Sequence, residues 1–286
     1  MSFGPNPWQQ TQWDWRAAGN FICGGAGSGV LMFAVLSGVQ GTMAAAFIVA
    51  GLGLVGLGLA CVWFELGRPW RALNVFFNGR TSWMTREAIA ATILFPVGLA
   101  AAAGAYSGLA GMALLPATVA LVFIYCQSRM LQSARGIVAW REPLTVALLI
   151  GTSFAEGAGV YWLAQPWHGQ GNVGLALLFG LLLLARAALW HAYRQRLAGR
   201  VAARAAAALD RAGHVLLAGT AVSLALMVAA FAGGPVPISG LTALAGLIAL
   251  LTGGYLKFVL VTRAGYNQGF ALKAIPVRGA RPFGSR

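Results

Sequence analysis

Residues 43–64, MAAAFIVAGLGLVGLGLACVWF, carry no charge, and residues 65–74, ELGRPWRALN, follow at once with a carboxylate, two arginines and an amide. An apolar run of this length is long enough to cross the hydrocarbon core of a bilayer as a helix. The charges packed against its end then mark a membrane–water boundary. The same alternation recurs along the chain. Apolar runs lie near 18–38, 43–64, 87–105, 110–131, 143–165, 172–192, 213–232 and 239–262, and the sequence predicts eight spans.

The composition agrees. Of the 286 residues, 59% are hydrophobic and 9% charged, with a mean hydropathy of +0.74. A soluble domain carries about 25% charged residues. The expected fold class is therefore an all-α integral membrane protein, an eight-helix transmembrane bundle. It forms a single membrane domain over residues 1–286: an arm (1–17), the spans (18–262) and a tail (263–286). The arm, with Asp14, Trp8, Trp13 and Trp15, places its polar and apolar zones in the wrong order for a signal peptide.

A net charge of +14 could suggest nucleic acid, but its distribution argues for topology. If the spans alternate, the connections near 39–42, 106–109, 166–171 and 233–238 contain no Lys or Arg. All 20 basic residues then fall on the side of the N-terminus or in the helix ends facing it. Positive residues stay cytoplasmic, so both termini are expected inside, with lipid headgroups and no nucleic acid as partners. In the connecting piece 193–214, Arg196, Arg200 and Arg204 recur at i+4 and are expected on one helical stripe that meets lipid or a soluble partner.

Several patterns carry less than they first suggest. GLGLVG (51–56) matches a dinucleotide-binding fingerprint but sits inside an apolar helix, and GGAGSG (24–29) lacks the lysine of a phosphate loop. Both read as small-residue faces that let helices approach closely. Cys23, Cys61 and Cys126 stand singly, so no metal or iron–sulfur cluster is expected in this chain. His191 and His214 are the one conceivable axial pair for haem and read better as interfacial residues.

Acids are scarce, six in all, so their positions matter. Glu65 and Glu87 flank the second connection, where a carboxylate either pairs with arginine or exchanges protons. Glu156 lies about 20 Å along its helix with no base expected at that depth. It reads as an unpaired acid facing the bundle interior, on a proton route or hydrogen-bonded to a neighbouring helix.

ELGRPWRALN and the following TSWMTREA (81–88) resemble the H-L-G-x-P-x-R-A-x-N and S-x-W-x-x-x-E blocks of the DmsC/NrfD/PsrC family of membrane anchors. WREPL (140–144) is similar to that family's W-x-x-P-L. The resemblance implies a quinone-reacting subunit without haem or metal, using menaquinone or ubiquinone. Its implied partners are a four-cluster ferredoxin-like iron–sulfur subunit and a catalytic subunit with molybdenum or tungsten on a bis-pterin cofactor. The arm and tail look most like anchors of phenylacetyl-CoA:acceptor oxidoreductases. Cytoplasmic sulfite-oxidising or DMSO-reductase-like complexes are the nearest alternatives, and an ion-coupled transporter is the competing class.

On this resemblance Asn20, Glu65, Gly67, Arg68 and Tyr125 are expected around the quinone headgroup. Glu65, Glu87 and Glu156 would move protons, while Arg71, Asn74, Arg80, Arg196, Arg200 and Arg204 would meet the partner. Glu65 stands where the family has histidine, and its ordinary pKa is about 4.3, against about 6.5 for the imidazole.

Overall fold

Inside a bilayer a backbone N–H has no water to bond, so an apolar run this long satisfies itself as a helix. The computed structural model describes residues 4, 6–64, 68–234 and 236–270. Eight of its helices are long and apolar enough to cross a membrane. They are α1 (Trp15–Leu36), α2 (Gly41–Trp63), α3 (Trp83–Tyr106), α4 (Leu114–Gln132), α5 (Leu144–Leu163), α6 (Val173–Leu197), α7 (Ala203–Phe231) and α8 (Ser239–Thr262). Among the described residues the only β pairing is two isolated bridges, Gln9 with Tyr266 and Ile137 with Asn267. The chain is an all-helical, multi-pass membrane protein. Glu65, Gly67 and residues 271–286 lie outside the described residues.

Helix α1 is the axis of the bundle. It packs against α2, α4 and α5, and α5 in turn packs against α6 and α8. Glycine makes the α1–α5 contact close. A Cβ on Gly29 would stand 2.9 Å from the backbone nitrogen of Gly157, too near for any other residue. Gly27 meets the backbone of Gly51 in the same way, so the two glycine patterns do form packing faces. Helices α6 and α7 lie at the edge, and exposed side chains such as Leu177, Leu181, Val222 and Val228 cover their outer surfaces.

The start of α1 is shaped by its sequence. Asp14 caps it, its carboxylate accepting from the Arg16 backbone N–H at 2.8 Å. One turn further the helix widens into π winding over Asn20–Gly24. The preceding arm folds against the other end of the chain. Trp13 stacks on Phe21 and packs at a tilt against Trp140, while the Trp8 backbone donates to Asn267 Oδ1 at 3.0 Å.

Two expectations about the basic segments are corrected. The 193–214 connection is not one helix: α6 runs on to Leu197, α7 begins at Ala203, and the turn between them is made by Gly199 at φ +66°. The arginines are good helix formers and hold their heads in water while their stems extend the spans. Arg196, Arg200 and Arg204 therefore share no helical stripe. Arg196 and Arg200 instead converge on Glu142, at 3.5 and 3.2 Å, and Arg194 reaches across to Asp210 at 2.5 Å.

The second correction concerns depth. Arg186 and Lys257 are fully buried within α6 and α8. Arg186 lies about 16 Å from the end of its helix. The basic residues are thus not confined to one rim of the bundle.

Candidate functional site

Ser82 caps α3 by accepting from the Thr85 backbone N–H at 3.3 Å. This capping turns the first helical turn so that Glu87 points into the bundle, where it is 4% exposed. Asn20 Nδ2 of α1 donates to Glu87 Oε1 at 3.2 Å, and Gln127 Nε2 of α4 donates to the same oxygen at 3.0 Å. Gln127 Nε2 also donates to the Asn20 backbone carbonyl at 3.1 Å. π winding shifts the hydrogen-bond ladder and commonly marks functional positions. Here the carbonyl at its first residue takes a side-chain donor.

The site is tightly built, because a side chain at Gly24 would strike Gln127 and Phe123, and one at Gly58 would strike Asn20. Two buried acceptors within it, Asn20 Oδ1 and Gln127 Oε1, have no donor among the described residues. They suit a ligand or a protonated acid that donates an O–H. Buried polar atoms left this way carry a penalty of about 1–3 kcal/mol unless met.

Outside this cluster the same end of the bundle carries a cation–aromatic stack. Trp83 is covered by the guanidinium groups of Arg86, 4.2 Å from its ring centroid, and Arg129, at 4.9 Å. Tyr125 meets Trp83 edge-on at 5.8 Å and faces outward. Arg86 also donates to the carbonyls of Gly79 and Arg80, and Thr85 donates to that of Val75 at 2.5 Å. These contacts hold the 3-10 helix Pro69–Asn78 against α3. That helix exposes Trp70, Leu73 and Phe77.

At this site the structure brings together two of the sequence-derived candidates, Asn20 and Glu87, while Arg196 and Arg200 meet elsewhere on Glu142. Arg68, Arg71, Asn74 and Arg80 are exposed along the connection, Tyr125 stands on the outer face of α4, and Glu65 and Gly67 lie outside the described residues. Gln127 was not anticipated. A glutamine in an otherwise apolar stretch, FIYCQS (123–128), is the signal that could have revealed it.

Deeper in the bundle, the expectation of an unpaired Glu156 is overturned. Lys257 Nζ stands 2.5 Å from Glu156 Oε2 and donates to Ser153 Oγ at 3.1 Å. The physical reason is that a buried carboxylate requires a counter-charge, which α8 supplies through one lysine in GGYLKFVL (253–260). Gly253 and Gly25 leave the room the pair needs: a Cβ at Gly253 would meet Glu156 Oε1 at 2.6 Å, and one at Gly25 would strike Lys257. Beside the pair, Arg186 donates to Ala249 O at 2.9 Å and to Thr220 Oγ1 at 3.3 Å.

Among the described residues, the fold thus defines a helical membrane protein with three buried carboxylates, Glu87 held by amides, Glu156 by Lys257, and Glu142 by Arg196 and Arg200. Comparison of the chain with models of known protein families and with curated proteins finds no match.

Proposed function

We propose that the chain is the membrane anchor and quinone-reacting subunit of an oxidoreductase complex, in which electrons pass between an iron–sulfur subunit and membrane quinone. One observation carries this reading. Glu87, the acid that closes the TSWMTREA block, is buried at 4% exposure and held by Asn20 and Gln127. Quinol oxidation releases protons together with electrons, so a quinone site needs a proton acceptor that water does not freely reach. Glu87 offers that acceptor, and the two unpartnered amide oxygens beside it match the hydroxyls of a quinol.

The surface supports the partner half of the reading. Arg68, Arg71, Asn74 and Arg80 are exposed beside the apolar face of the 3-10 helix, a surface suited to docking a soluble subunit. On this reading the rim faces the cytoplasm of a bacterial inner membrane, a side that the arginine bias of the connections favours. The catalytic molybdenum or tungsten subunit would then act on a cytoplasmic substrate, such as a CoA ester of the phenylacetyl type. A cytoplasmic sulfite-oxidising or DMSO-reductase-like complex is compatible with the same geometry.

The test is Glu87→Gln in the assembled complex. Quinone-linked turnover falls, while turnover with an artificial acceptor that takes electrons directly from the clusters survives. Equal loss in both assays, or unchanged quinone turnover, overturns the assignment.

A second reading, an ion-coupled transporter, is favoured by the Glu156–Lys257–Arg186 cluster, since intramembrane charges commonly line ion paths. Counterflow of a labelled solute in liposomes containing this chain alone would select it.

A further inference from the structure

A different concavity lies between α7 and α8, at the bundle end where α7 starts and α8 finishes. Its volume is about 510 Å³. Helix α7 presents Arg204 and Arg211 to it, seven residues apart and so on one face, with the small Ala207 and Ala208 between them. Arg263, the residue that follows α8, supplies a third guanidinium, and Gln9, Tyr255 and Tyr266 complete the wall. Among the described residues, no acidic side chain lines it.

These arginines differ from their neighbours. Arg194 is held by Asp210, and Arg196 and Arg200 by Glu142. Among the described residues, the side chains of Arg204, Arg211 and Arg263 make neither a hydrogen bond nor an ion pair. The Tyr255 hydroxyl is equally without a partner there. Three like charges around one space repel each other unless an anion joins them, and a guanidinium fork matches phosphate oxygens in geometry.

The walls also continue past the arginines as lipid-facing surface. Val215 and Val222 extend the Arg211 face along α7, and Leu251 and Leu244 extend the Tyr255 face along α8, all four of them exposed. A free phosphate would use the arginines and leave this apolar stripe bare. A lipid uses both.

We propose that this cavity is a binding site for an anionic phospholipid, whose phosphate oxygens accept hydrogen bonds from Arg204, Arg211 and Arg263 while its acyl chains lie along the Val215–Val222 and Leu244–Leu251 stripe. The site is independent of the quinone reading, because it shares no residue with the Glu87 cluster. It adds a lipid requirement that would hold for an anchor and for a transporter alike.

The test uses the full chain in mild detergent, equilibrated in turn with cardiolipin, phosphatidylcholine and inorganic phosphate, with retention read by native mass spectrometry. Cardiolipin is retained over phosphatidylcholine. The triple variant Arg204→Gln, Arg211→Gln, Arg263→Gln weakens retention about a hundredfold, from roughly one kilocalorie per mole for each arginine. Ala207→Trp fills the cavity without altering charge and evicts the lipid too, so a folding defect in the triple variant does not decide the matter. Arg135→Gln, an exposed arginine elsewhere, leaves retention unchanged. Equal retention of phosphatidylcholine overturns the proposal. So does wild-type retention in both the triple and the Ala207→Trp variants, or displacement of the lipid by inorganic phosphate.

Discussion

Lys257 of α8 and Glu156 of α5 form an ion pair 2.5 Å apart with both side chains fully buried. It is one of the contacts that fasten the last span to the centre of the bundle, with Arg186 on the Ala249 carbonyl and Trp140 on that of Leu260. Breaking such a pair by removing one partner leaves a charge uncompensated in low dielectric, which costs about 3–5 kcal/mol. Lys257→Met and Glu156→Leu are therefore each expected to lower the thermal stability of the purified protein by amounts in that range. The double variant Lys257→Met, Glu156→Leu should recover much of the loss. Additive losses in this cycle, read by thermal denaturation in detergent, would show that the two side chains are not energetically coupled.

Gln127 is the second testable link. It donates to Glu87 Oε1 and to the Asn20 carbonyl at once. Gln127→Leu is expected to destabilise the protein by about 1–3 kcal/mol, because it strips donors from two buried acceptors. If Glu87 is the proton acceptor of the proposed quinone site, the same variant should also alter the pH profile of quinone-linked turnover, since it removes a hydrogen bond to Glu87 Oε1. Thermal denaturation and the pH–rate profile check the two statements separately.

Asp14 provides a pH-dependent prediction at the surface. The hydrogen bonds and charge of Arg16 hold its carboxyl below the usual carboxylate range. A depressed carboxyl stabilises the fold above its unfolded pKa of about 3.9, and that contribution is lost as pH falls through the lower folded value. Asp14→Ala should cost about 0.5–1 kcal/mol at neutral pH through the missing cap. The difference from wild type should vanish in acid, as read from melting temperatures across pH.

Much of the fold was legible in the sequence, since the bilayer requires long self-satisfied helices and leaves little else for apolar runs to do. The boundary between α6 and α7 was not. Arg194, Arg196 and Arg204 are polar by hydropathy yet helical by propensity, so an apolar window ends α6 about one and a half turns too early and starts α7 nearly three turns too late. The site was legible only in part. Asn20 and Glu87 stood out as polar residues at helix ends, whereas their meeting depends on the π winding of α1 and on Gln127. Neither feature follows from spacing along one helix. Lys257 escaped notice for the opposite reason, because a lone lysine near the end of a span reads as an interfacial anchor until its long-range partner is known.

The bridge between Gln9 and Tyr266, with the Trp8 backbone on Asn267, joins a segment that precedes α1 to one that follows α8. Until the segment beyond α8 has been made, Trp8 and Gln9 lack these partners. Closure of the bundle at this edge therefore waits on the eighth helix, and an insertion that halts after seven helices leaves the segment ahead of α1 without these contacts, an accessible mark of incomplete assembly.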